Sequence, residues 1–282
     1  MREFTIKTGS APELVRALVC GLPSAGKTFF AGSAPKPLFL SDASEGGYKT
    51  LQAMDSALWW DPKVPPEVWA IEAQPDMPIA LGKLEQRAHA ARNGSGPDAF
   101  PWRTIVIDPL SIYVDRYLAE MMAKGIHKDP RQYYGDLNAH LRSLVLRFHA
   151  LPAHVLWLCH VKNEAGEVNG PAIGGQMGSK FPAFCDFKWF CNVTAAANLP
   201  PVYELRTAPF RSWTFLGGRW VLPDPMIPSF KCVAELIDLG EKPVSPSVPG
   251  FPGGVTYRGL VAPPALPPIA ENTNTTTAPA SA

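Results

Sequence analysis

The chain has 282 residues, a formal net charge of +1 and 46% hydrophobic residues. That is long enough to bury the core of one large α/β domain, and near-neutrality excludes a global electrostatic drive toward nucleic acid or a membrane surface. Five cysteines, an odd number, lie mostly in apolar runs without metal-ligand spacing, which points to reduced core thiols rather than a disulfide framework or a zinc site.

No secretory pattern stands at the charged N-terminus, and no apolar run is long enough to span a bilayer, so a cytoplasmic protein with no membrane contact is expected. Residues 1–13 read as an edge strand or lead-in. Leu14 to Cys20 is a β-prone apolar run that ends on Gly21-Leu22-Pro23-Ser24-Ala25-Gly26-Lys27-Thr28, a match to G-x-x-x-x-G-K-[ST]. Such a loop curls backbone N–H groups around a phosphate, its lysine reaches the outer phosphates, and its hydroxyl, Thr28, can ligate Mg²⁺. Lys27, Thr28 and Phe29 then open a helix whose N-terminal dipole faces the anion. A nucleoside triphosphate is the implied ligand, and ATP is favoured because no Asn-Lys-x-Asp stretch reads guanine.

Leu38 to Ser41 reads as the next buried parallel strand, followed by Asp42-Ala43-Ser44-Glu45-Gly46-Gly47. Ligands of open α/β sheets sit at the carboxyl ends of strands, so Glu45 is a candidate general base for the water that attacks a γ-phosphate. The other role open to Asp42 or Glu45 is to cap a helix expected from Tyr48 to Trp60. A strand over Val68 to Ala73 and a helix over Met77 to Arg92 follow.

Thr104-Ile105-Val106-Ile107-Asp108 is an apolar strand ending in one acid, the Walker B form, and Asp108 would help hold Mg²⁺. Helices are expected over Pro109 to Lys124 and Pro130 to His149. His154 to His160 is another buried strand, and His160 either contacts the γ-phosphate and its water or serves as a structural histidine. Lys162 to Lys180 contains five glycines and reads as a mobile loop whose two terminal lysines could meet a nucleic-acid backbone. Phe187 to Val193, Val202 to Thr207 and Ser212 to Phe215 read as late strands, and Lys231 to Gly240 as a short terminal helix. From Pro243 onward the composition is Pro-, Gly-, Ser- and Thr-rich with few charges, so residues 1–242 are expected to form the folded domain and 243–282 a disordered tail.

The order of these parts, P-loop, Leu38 to Gly47 with Glu45-Gly46-Gly47, Ile105 to Asp108, His160 and a glycine-rich loop, resembles phage-type RecA-like ATPases, proteins often labelled AAA-family. The likeness runs from about Leu14 to Gly240. It implies a RecA-like, mostly parallel sheet flanked by helices with late antiparallel strands, and Glu45 as the catalytic glutamate beside Lys27 and His160. It also implies ATP and Mg²⁺ as cofactors and action on single-stranded DNA in phage recombination, annealing or replication, with the Lys162 to Lys180 loop on DNA. Relatives assemble as rings or filaments with basic residues reaching the neighbouring site, usually a Lys-x-Arg pair. Here Gly217-Gly218-Arg219 keeps the arginine and lacks the lysine, leaving Arg206, Arg211 and Arg219 as trans-acting candidates. A second function fits the same residues: a nucleotide-switched protein-interaction module with slow hydrolysis.

Overall fold

The computed structural model describes residues 14–94, 99–164, 167–194, 201–209, 216–218, 222 and 224–236. The expectations for residues 1–13, Ser212 to Phe215 and the stretch 243–282 therefore lie outside the described residues, as do Arg211 and Arg219.

In chain order the elements are β1 (Arg16–Gly21), α1 (Lys27–Gly32), β2 (Pro37–Asp42), α2 (Gly47–Ala53), β3 (Glu67–Ile71), α3 (Asp76–Arg92), β4 (Thr104–Asp108), α4 (Leu110–Ala123), α5 (Pro130–His149) and β5 (His154–Cys159). There follow β6 (Val161–Glu164), β7 (Glu167–Pro171), α6 (Met177–Lys180), β8 (Phe187–Thr194), β9 (Val202–Arg206), β10 (Gly217–Gly218) and α7 (Phe230–Leu236). The main sheet runs β10-β8-β1-β5-β4-β2-β3, with β9 also on β8. From β8 to β3 all pairs are parallel, and β9 and β10 lie antiparallel to β8. The α/β class, the parallel sheet and the late antiparallel strands are those the sequence pattern implies.

Alternation along each strand divides the core between the sheet's two faces. Leu18, Leu38, Leu40, Ile105, Ile107 and Trp157 pack with α3, α4 and α5. Val19, Phe39, Val106, Leu156 and Leu158 pack with α1 and α7. Burial on both faces is why these strands read as continuous apolar runs. All five cysteines are free and buried. Among the described residues no helix is long and apolar enough to cross a membrane.

Two stretches differ from expectation. The helix expected from Tyr48 to Trp60 stops at Ala53, where Met54 is extended, and Asp55 accepts a hydrogen bond from Ala57 N over a short 3-10 turn, Ser56–Leu58. Asp and Ser compete with helix by bonding nearby backbone, and here that competition ends it. The stretch Lys162 to Lys180, expected as a mobile loop rather than a core element, instead holds the antiparallel hairpin β6-β7, the helix α6, and two buried anchors, Ile173 and Met177. Gly175 and Gly178 serve close packing, since a Cβ on Gly175 would lie 3.0 Å from the Tyr134 ring on α5 and one on Gly178 would lie 2.8 Å from the Ile173 carbonyl, whereas Gly170, at φ 138° with open space around it, serves backbone freedom. Glycine content here signalled close approach as well as backbone freedom.

Candidate functional site

β1 delivers the chain to the sheet's carboxyl edge, where Ser24 (φ 61°) and Gly26 (φ 89°) adopt left-handed backbone and turn it into α1. Gly21 is required by proximity, since a Cβ there would stand 2.7 Å from the Cys191 carbonyl of β8. The Lys27 ammonium closes the loop on itself, donating to the carbonyls of Gly21 at 3.0 Å and Leu22 at 2.8 Å. β5 intervenes between β1 and β4, yet Asp108 at the end of β4 reaches back to α1, and Thr28 Oγ1 donates to its Oδ2 at 2.8 Å.

The turn after β2 is built by Asp42. Its Oδ1 accepts from Ser44 N at 2.9 Å and from Ser44 Oγ, while its Oδ2 pairs with Arg116 of α4. α2 then starts after Gly46 (φ 64°) without a side-chain cap. Neither carboxylate caps that helix: Asp42 shapes the turn, and Glu45, 38% exposed, lies with Oε2 3.7 Å from His160 Nε2. His160, one residue past β5, is fixed through its backbone N–H, which donates to Ser111 Oγ at 3.2 Å.

The ring of His160 also lies 3.4 Å, through Nδ1, from Lys27 Nζ. An ammonium only donates, so with Lys27 charged Nδ1 is the acceptor of that contact and a neutral ring carries its proton on Nε2, the nitrogen nearer Glu45. Burial and the Lys27 charge hold the His160 pKa below its ordinary value, against the opposing pull of Glu45. Burial likewise lowers Lys27. It raises Asp108 to about 6, with Glu45 adding to the rise and the Thr28 hydrogen bond and Lys27 opposing it. Lys27 and Asp108 are thus buried, and His160 half-buried, with less compensation than their charges require, the condition of a site that awaits charged ligands.

Lys27, Thr28, Phe29, Glu45, Asp108 and His160 all line one cavity of about 610 Å³, within the size range of small-molecule sites. Pro23, Ser24, Ala25 and Gly26 line it too. The donor set fits Mg²⁺: a buried carboxylate of raised pKa, a hydroxyl already directed at it, and Gly47, whose missing Cβ would stand 2.9 Å from Asp108 Oδ2. Among the described residues no group of three or more His, Cys, Asp or Glu could hold a metal alone, so water and phosphate oxygens would complete the shell.

Thr50 on α2 and two residues late in the chain also line the cavity and escaped sequence reasoning. Tyr203 on β9 sets its ring 3.3 Å from where a Gly26 Cβ would be, and Pro228 joins it at the cavity wall. Their sequence neighbourhoods carry no motif; only the pairing of β9 with β8 brings Tyr203 over the P-loop. Lys162 and Lys180 are not among the residues lining the cavity, and Lys180 Nζ donates to Gln176 Oε1 at 2.7 Å. Arg206 is engaged by acids of its own chain, Glu204 at 3.0 Å and Asp224 at 3.5 Å.

No family model matches the chain, and no curated protein matches it. Among solved structures, one that aligns with it is an ATPase from the type III secretion system of pathogenic bacteria, with a TM-score of 0.44 and 12% identity over 63% of this chain. The alignment spans about half of that protein's length, 51%.

Proposed function

We propose that this protein is a Mg²⁺-dependent ATPase whose turnover is coupled to single-stranded DNA. The observation that carries the ATPase reading is the convergence of Lys27, the Thr28–Asp108 pair and the Glu45–His160 pair on one cavity at the carboxyl ends of β1, β2, β4 and β5. On ATP binding, Lys27 Nζ exchanges its two carbonyl partners for phosphate oxygens. Bound Mg²⁺, held by Thr28 Oγ1 and Asp108, would neutralise charge on the transferring phosphates. Glu45 takes the proton of a water whose oxygen bonds to the γ-phosphorus as the bridging oxygen leaves with ADP. His160 orients that water through its Nε2–H and, through Nδ1, senses where Lys27 is engaged.

The coupling to DNA rests on the hairpin β6-β7. It begins at Val161, directly after His160, and its far end returns to the same residue, Ala172 N donating to His160 O at 2.8 Å. A shift of His160 on loss of the γ-phosphate therefore acts on both ends of the segment that carries Lys162. The phage recombination or annealing setting and assembly into a ring or filament rest on the resemblance described above. The net charge of +1 and the engagement of Arg206 by Glu204 and Asp224 favour the second reading, a nucleotide-switched interaction module that hydrolyses slowly.

ATP hydrolysis by the purified chain with Mg²⁺, with and without single-stranded DNA, separates the two. Stimulation by DNA that vanishes in Lys27→Ala supports the coupled ATPase. Binding of ATP with slow turnover that DNA leaves unchanged supports the switched module, and absence of ATP binding overturns both.

A further inference from the structure

A second concavity, about 680 Å³, lies at the opposite side of α2 from the phosphate loop. β3 is the sheet's edge strand, and past α2 its Val68 and Ala70 form a floor that carries no helix. The walls are Tyr48, Leu51, Trp59, Pro65 and Pro66. Tyr48 and Val68 are 38% and 36% exposed. Under the wall, the Trp59 indole N–H is buried with no acceptor among the described residues. Aromatic and proline walls are the features that receive a polyproline II segment: proline rings pack between the aromatics.

The chain contains such a segment. Residues 263–268 read Pro-Pro-Ala-Leu-Pro-Pro, and no charge lies between Arg258 and Glu271, as a groove of apolar walls requires. The route is short. Lys231 of α7 donates to the carbonyl of Ala57 at 3.2 Å, two residues before Trp59, and α7 ends at Leu236. By random-coil scaling a chain of the length from there to Pro263 reaches about 30 Å root-mean-square, ample for the approach, and tethering at such length gives an effective concentration of the order of millimolar. Addition of this segment to the edge of β3 as a further strand is disfavoured, because its prolines have no N–H for the ladder.

We infer that residues 263–268 dock in cis, as a polyproline II segment, in the groove between Tyr48, Trp59, Pro65 and Val68. The occupied groove touches both ends of the turn that carries Glu45, since Ser41, Asp42 and Ala43 also line it on one side of the turn and Tyr48 on the other. The docking itself requires neither nucleotide nor hydrolysis.

The test is photo-cross-linking in the full chain, with p-benzoylphenylalanine in place of Ala265 and the adducts mapped by mass spectrometry. The expected adduct is intramolecular, falls within residues 48–70, and loses at least fivefold in yield in the double variant Pro264→Ser, Pro267→Ser, which leaves the folded core untouched. Val68→Asp, at an exposed position, is expected to lower the yield as much. Adducts elsewhere, adducts formed only between copies, or a yield indifferent to these variants overturn the proposal, as does capture of the groove by residues 1–13 from a probe placed there.

Discussion

The two ends of the parallel sheet treat their polar groups in opposite ways. At the amino ends the buried polar groups of His154, Thr104 and Ser33 are answered within the chain. His154 Nδ1 accepts from Val15 N at 2.9 Å, Thr104 Oγ1 donates to Pro35 O at 2.9 Å, and Ser33 Oγ accepts from Phe230 N at 2.7 Å while donating to Phe30 O at 2.7 Å. At the carboxyl ends Lys27 holds only carbonyls of its own loop, Asp108 has one hydroxyl donor, and Glu45 stands 3.7 Å from His160. Buried hydrogen bonds completed internally fix the fold, whereas charges left under-compensated hold a place for ligands. The difference predicts that substitutions at one end change stability and at the other change binding and rate.

The largest effect is expected from Glu45→Gln. It keeps the side chain's size and removes its basicity, so ATP turnover should fall 100-fold or more while ATP affinity stays within about threefold, a loss of about 2.7 kcal/mol in transition-state stabilisation. Single-turnover hydrolysis beside equilibrium binding checks it; normal turnover would remove Glu45 from the role of base. Next comes Lys27→Ala, expected to weaken ATP binding about 100-fold, again about 2.7 kcal/mol. Its thermal unfolding without nucleotide should not drop, because the cost of desolvating the buried ammonium offsets its two carbonyl hydrogen bonds and its attraction to Asp108. A large fall in melting temperature would show Lys27 to be a fold residue like those of the amino end.

The two ends were unequally legible in the sequence. Gly21 to Thr28 and Thr104 to Asp108 were readable because the glycines, the lysine and the terminal acid leave fixed-spacing marks, and the structure places both stretches against one cavity. Tyr203 was not readable, since its place over Gly26 depends on a strand pairing set far along the chain. The role of Ser33 was equally hidden: its partner Phe230 lies 197 residues away. The stretch after His160 was misread for a different reason, because glycine has two uses, conformational freedom and close approach, and composition alone does not distinguish them. Ile173 and Met177 carried the correcting signal, two apolar residues amid the glycines, each placed where it can anchor the segment.

At the amino end Ser33→Ala sharpens the contrast. It leaves the buried Phe230 N–H without its acceptor, for an expected loss of about 1–3 kcal/mol in unfolding free energy. Urea denaturation gives that number, and the KM for ATP should not move. A changed KM with unchanged stability would break the division between the two ends.

The smallest effect is a slope against pH, and it distinguishes the ends by sign. Burial depresses His154 to about 4, with Arg103 contributing, and also depresses His140 and His149 to about 4. As pH falls below about 6.5, the ordinary histidine value, the unfolded chain takes up these protons before the folded one does. The stability associated with each neutral histidine is therefore complete above about pH 6.5 and is lost progressively as pH falls toward 4. Asp108 runs the other way: its value is raised to about 6, so in the nucleotide-free protein the folded state protonates first and gains as pH drops from about 6 to the ordinary carboxylate range. His154→Gln retains an acceptor for Val15 N and removes one titrating group. Between pH 6 and 5 its unfolding free energy should fall less steeply than that of the unsubstituted chain, by at most about 1.4 kcal/mol per pH unit for the one proton removed. Equal slopes would mean that His154 protonates alike in both states, and that the closed hydrogen bond at the amino end exerts no hold on its charge.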